Sequence, residues 1–108
     1  MMSRANAIEQ IEDYFDQGLF FTDLSRRLGF RTESQVPEQL AELRRYLKEE
    51  IAAELRGMGF TLSIEENRAA GAGPILIAQR KEGSGLPTVL SYGHGEVVGA
   101  SEYRPDWT

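Results

Sequence analysis

Tyr92-Gly93-His94-Gly95-Glu96-Val97-Val98 is the one segment of this sequence whose residue types and spacing point to chemistry. His94 is the only histidine in the 108 residues. A glycine on either side lets the backbone turn sharply and the imidazole project. Glu96 stands two residues on. An imidazole can ligate a metal through one ring nitrogen while a nearby carboxylate accepts the other N–H and fixes the ring. The position suits this chemistry. The apolar run Thr88–Tyr92 ends just before His94, and ligand sites in α/β sheets lie beyond strand ends. One imidazole and one carboxylate do not hold zinc by themselves, because zinc takes three or four protein ligands. By residue type alone, a single histidine beside a glycine turn is more often an ordinary surface or cap residue.

The elements that must position this segment follow from periodicity. Ser3 reads as a helix N-cap, and Ala5, Ile8, Ile11 and Phe15 share one helix face at three- and four-residue spacing. Gly18 reads as the stop. A second short helix is predicted to start at Thr22 or Asp23, with Leu24 and Leu28 on its apolar side, Arg26 and Arg27 at its end and Gly29 in the turn beyond. Phe20-Phe21 reads as a packing anchor between the two helices. After the polar connector Arg31–Gln35, Pro37 opens the strongest helix, with Leu40, Leu43, Leu47, Ile51 and Leu55 as its buried stripe. Glu42, Arg45, Lys48, Glu49 and Arg56 lie on its wet face, and Gly57 or Gly59 ends it. The acids Glu49, Glu50 and Glu54 read as a solvated face rather than a metal cluster.

The second half changes character. Phe60–Ile64 alternates as a strand with one wet face. Pro74–Gln79 and Thr88–Tyr92 are apolar on most positions and read as two further strands, the former buried. The loop through Gly71 and Gly73 leads into a strand and lacks a Lys-Ser pair, so it is no phosphate-binding loop. Helices followed by three strands predict an α/β fold, with two to three N-terminal helices packed on a small three-stranded sheet. The length predicts one domain spanning residues 1–108. Strands apolar on both faces expect two covering layers, and the sequence supplies one good layer.

Composition narrows the function classes. Hydrophobic residues make up 41% and charged residues 27%, as in a folded soluble domain. Seventeen acids against twelve bases leave a net charge of −5. The basic pairs Arg26-Arg27 and Arg44-Arg45 have acids nearby, which argues against a nucleic-acid partner. No apolar run is long enough for a bilayer, so no membrane partner is expected. The lack of cysteine excludes disulfides and thiolate metal sites and suits a cytoplasmic location.

Tyr92–Val98 resembles the YGHxDVV stretch of the aminoacylase, acetylornithine deacetylase and succinyl-diaminopimelate desuccinylase family of zinc metallopeptidases. Further segments resemble that family in order. They are Arg31–Gln35 after the first helices, Tyr46–Leu55 with Gly59-Phe60, Gly73–Ala78, Leu86–Leu90 and Trp107. The family has Asp where Glu96 stands, and Pro after the two valines where Gly99-Ala100 stands. The resemblance implies that the chain is the amino-terminal part of a metallopeptidase-like, three-layer catalytic domain. It implies that His94 is a zinc ligand in a complete parent and that Glu96 steadies the metal site from behind. The bridging carboxylate, the glutamate pair with the general base and the later histidine of the family would lie beyond Thr108. The parent's substrate would be a small peptide or N-acyl amino acid. The chain alone is expected to be inactive and to hold no metal tightly. The alternative is a non-catalytic small domain that binds a partner or associates with itself through an exposed sheet edge.

Overall fold

The computed structural model describes residues 3–33 and 36–96. Ser34, Gln35, Val97, Val98, Gly99, Ala100 and Trp107, which enter the reading above, lie outside the described residues. The chain divides into two compact units, Met1–Phe30 and Arg31–Thr108. Among the described residues, no helix is long and apolar enough to cross a membrane.

The first unit is a helical hairpin. The hydroxyl of Ser3 accepts the Asn6 N–H at 3.1 Å and starts α1, Arg4–Asp16. Gly18 then takes φ +79°, a left-handed conformation that strains any residue with a Cβ. The helix α2, Leu19–Leu28, starts directly after it. The predicted start at Thr22 or Asp23 is therefore three to four residues late, and the reason lies in where those side chains bond. Thr22 Oγ1 donates back to the Gly18 carbonyl at 3.1 Å. Asp23 accepts the Tyr14 hydroxyl at 2.5 Å and an Arg26 N–H at 3.0 Å. Both oxygens are occupied away from the helix start. Gly29 closes α2 in a right-handed conformation, so its glycine is not required by a positive φ there. Phe20, 44% exposed, meets Tyr14 and Phe15 of α1 at ring-centroid distances of 6.2 and 5.8 Å, and Phe21 is 73% exposed. One of the two phenylalanines is the anchor.

The Tyr14–Asp23 bond holds the Asp23 carboxyl below the ordinary range, with Arg26 helping and partial burial opposing. The same bond raises the Tyr14 hydroxyl. Asp23 therefore contributes stability above its unfolded value and loses it as pH falls through its lowered folded value. Tyr14 contributes below its unfolded value and loses it as pH rises through its raised folded value. Replacing Tyr14→Phe should shift the Asp23 titration, followed by carboxyl carbon NMR, upward toward the ordinary value near roughly pH 4. An unmoved midpoint would show that the hydroxyl is not the main cause.

The second unit is built on one long helical run. Pro37–Gln39 forms a single 3₁₀ turn, with Pro37 at the position where a missing N–H is harmless. The run continues as α3, Leu40–Arg45, a π-helical stretch, Tyr46–Ile51, and α4, Ala52–Gly57. The π stretch has a cause in the leucine spacing. In a pure α-helix each four-residue step advances the stripe by about 40°. Leu43, Leu47, Ile51 and Leu55 make three such steps in succession. A wider turn rotates less per residue and returns the stripe to one face. Leu43 and Leu47 are buried, and Leu40, Ile51 and Leu55 are half-buried. On the wet face Arg45 pairs with Glu42 and Glu49. Glu49 is exposed, and Glu50 and Glu54 are half-buried.

The helix ends in a two-bond cap. Gly59, at φ +89°, donates to the Arg56 carbonyl at 3.0 Å, and Phe60 donates to the Leu55 carbonyl at 3.1 Å. This is the Schellman arrangement, which satisfies the last carbonyls and turns the chain back. The strand β1, Thr61–Glu65, follows at once. It pairs antiparallel with β2, Ile75–Gln79, in the register Leu62↔Ala78 and Ile64↔Leu76. Those four residues are half-buried and share one face, and α4 packs against β1. Arg80 closes the far end by donating to the Met58 carbonyl at 3.0 Å. Arg44 grips both carboxylate oxygens of Glu66 after β1. A Gly59→Ala variant should lose about 1 kcal/mol through forced left-handed strain, measured by urea unfolding. An unchanged midpoint would show that the cap relaxes freely.

The architecture is mixed helix and sheet, but the described sheet has two strands, not three. Thr88–Tyr92 forms no strand, and Val89, Leu90 and Tyr92 are 85, 93 and 85% exposed. The burial expected for Pro74–Gln79 is also halved. Ile75 and Ile77 stand opposite Glu65 and Ser63 on the open face, 51 and 44% exposed. Sequence periodicity reports which residues suit a strand, but a strand also needs a free edge beside it.

Candidate functional site

The long helix and the His94 segment meet across a groove of about 720 Å³. Its floor is the stripe of Leu43, Leu47, Ile51 and Leu55. Ile75 and Leu76 of β2 and the stretch Ser91–Glu96 also line it. Two glycines make this closeness possible. A Cβ on Gly73 would fall 2.5 Å from Leu43 Cδ2, and a Cβ on Gly95 would fall 3.1 Å from Leu47 Cδ2. The two buried leucines of the helix are thus each covered by backbone that carries no side chain. Burying each leucine is worth about 2 kcal/mol.

Gly95 is consequently more than a turn residue. It presses the His94 segment onto the helix at the π-helical stretch, close to Leu47 and Tyr46. The role of Gly73 lies outside what helix and strand periodicity report. The signal available was small residues on both sides of Ala72 just before Pro74, a common mark of close backbone approach.

The structure brings His94 and Glu96 together. His94 Nδ1 lies 2.7 Å from Glu96 Oε1. An ionised carboxylate only accepts, so Nδ1 is the donor and Nε2 carries the free lone pair. Glu96, one methylene longer than Asp, still reaches the ring within hydrogen-bonding distance. The Tyr92 hydroxyl lies 3.5 Å from Nε2, with the rings edge to face at a centroid distance of 5.2 Å. Glu96 is half-buried, and its carboxyl is held below the ordinary range. The largest cause is a hydrogen bond from its own backbone N–H; partial burial opposes it, and the His94 ring adds a smaller lowering. His94 itself is exposed at the groove rim, with 65% of its side chain accessible.

This arrangement is one oriented imidazole, able to offer Nε2 to a metal ion or a proton. Among the described residues, no group of three or more His, Cys, Asp or Glu side chains is placed to hold a metal ion. A single imidazole does not by itself make a zinc site, which takes three or four protein ligands. Comparison with protein-family models, curated proteins and solved structures finds no match for this chain.

Two substitutions test the pair. When the imidazole is neutral, long-range ¹⁵N–¹H spectra should place its proton on Nδ1, and Glu96→Ala should move it mainly to Nε2. His94→Ala should raise the Glu96 titration only part of the way, because the backbone N–H is the larger cause. A complete return to the ordinary carboxyl value would contradict that order of causes.

Proposed function

We propose that this chain is the amino-terminal part of a zinc-dependent amidohydrolase or peptidase in which His94 supplies one metal ligand. The carrying observation is the 2.7 Å contact between His94 Nδ1 and Glu96 Oε1, which leaves the Nε2 lone pair facing only the Tyr92 hydroxyl at 3.5 Å, beside the groove. A carboxylate behind a ligating imidazole is the usual support in such sites. It selects the tautomer, restrains the ring and raises the basicity of the free nitrogen. The resemblance of Tyr92–Val98 to the zinc-metallopeptidase motif names the same two residues. Zinc in such enzymes activates a water and polarises the carbonyl of an amide. The work done here by the chain's own residues is narrower. Glu96 orients the ring, His94 presents Nε2, and Gly95 anchors both to the helix. The remaining ligands and the general base come from elsewhere in the parent, whose substrate is a small peptide or N-acyl amino acid. Absence of cysteine fits a cytoplasmic setting.

Zinc titration followed by NMR tests the reading. Zinc should shift the His94 ring signals in fast exchange, weakly, and less still in Glu96→Ala. N-acyl amino acids should remain unhydrolysed by the chain alone. Zinc that perturbs surface carboxylates and leaves the His94 ring unmoved would overturn the ligand assignment. Zinc-dependent turnover lost in His94→Ala would overturn the partial-site reading.

A further inference from the structure

We propose that Tyr92 is a positioning residue for His94: its hydroxyl donates to the Nε2 lone pair and gives that nitrogen up to an incoming metal ion. The bond directions follow from the partners. The ionised Glu96 carboxylate only accepts, so Nδ1 carries the proton and the neutral ring keeps one acceptor, Nε2. Among the described residues, the group facing Nε2 is the Tyr92 hydroxyl at 3.5 Å, and a hydroxyl can donate. Tyr92, His94 and Glu96 thus form one chain of two hydrogen bonds with a single direction. Moving the ring proton to Nε2 would set the Nδ1 lone pair against the carboxylate.

Spacing makes the contact possible. Tyr92, His94 and Glu96 alternate with Gly93 and Gly95, so no other side chain comes between them in sequence. The Tyr92 and His94 rings pack edge to face, at 70° and a centroid distance of 5.2 Å, an arrangement that aromatic pairs favour. Their backbone is pinned close by, where Gly95 comes up against Leu47. The hydroxyl itself is held lightly. Its 3.5 Å separation is at the long limit for a hydrogen bond, and Tyr92 is 85% exposed. An exposed side chain changes rotamer within roughly nanoseconds. The bond therefore shields Nε2 without blocking it. A metal ion or an electrophile reaches the nitrogen only while the hydroxyl is turned away, and its apparent affinity falls with that fraction of time. The shield itself needs nothing from zinc; its consequence for metal binding rests on the zinc reading.

Tyr92→Phe in the full chain tests this, because it keeps the ring and removes the hydroxyl. His94 is the only histidine, so ring signals and histidine-directed chemistry report on it alone. With the imidazole neutral, the variant should shift the Nε2 ¹⁵N resonance and leave the proton mainly on Nδ1. Carbethoxylation of His94 by diethylpyrocarbonate should run about twofold faster or more, the change expected when a shield present half the time or more is removed. The midpoint of the zinc titration should fall by a similar factor. In a Glu96→Ala background, where the ring proton sits mainly on Nε2, Tyr92→Phe should leave the reaction rate unchanged. An unshifted Nε2 resonance or an unchanged reaction rate in the single variant overturns the proposal. So does a rate gain that persists undiminished in Glu96→Ala, which would make the effect steric. Weaker zinc binding in Tyr92→Phe overturns it as well, because the hydroxyl would then help the metal. Zinc that moves His94 in neither protein counts against the zinc reading alone, and the resonance and the reaction rate still decide the shield.

Discussion

Close contact between side-chain-free backbone and two buried leucines is the constraint on which the second unit depends. Leu43 and Leu47 stand next to Gly73 and Gly95, at distances where a methyl group would collide or crowd. The first contact brings the lead into β2 against the helix. The second brings the His94 segment against the same helix one turn further on. Among the described residues, few side chains are buried besides these, namely Ala52 and Thr32. A small core of this kind leaves little redundancy, so the groove and its rim depend on a few contacts.

Polar contacts are layered on that packing. The ion pairs of Arg44 with Glu66 and of Arg45 with Glu42 are exposed, and exposed pairs contribute little stability. They fix geometry instead. The His94–Glu96 pair belongs to the same class by exposure but differs in consequence, because it decides which ring nitrogen faces outward. A pair of little stabilising value can still carry chemical meaning when one partner is an imidazole.

Much of the helical part was legible in the sequence. The Ser3 cap, the turn at Gly18, the entry at Pro37 and the leucine stripe all stand where local rules place them. These features depend on neighbours within a few residues. Local capping rules place the start of α2 late because Asp23 bonds across to Tyr14, a partner nine residues away. The third strand fails for a larger version of the same reason. Residues 88–92 have strand-forming side chains, but pairing depends on where Gly95 docks, and nothing local to the segment encodes that. The pairing of Glu96 with His94 was readable because two residues of spacing already confine both side chains. The three successive four-residue steps of the stripe foreshadowed the π stretch, although simple periodicity treats them as ordinary helix.

The chain order of the two glycine contacts bears on how the molecule is made. As the polypeptide leaves the ribosome, the helix is complete long before either cover is present. Gly73 arrives with the second strand and shields Leu43 first. Leu47 waits for Gly95, and its apolar surface stays open to solvent, or to a chaperone, in the interval. Of the two covers, the one bearing the imidazole reaches the helix second, so the candidate site is assembled after β2 has emerged. A ribosome paused between those two points would display a folded hairpin beside an uncovered leucine and an unformed site.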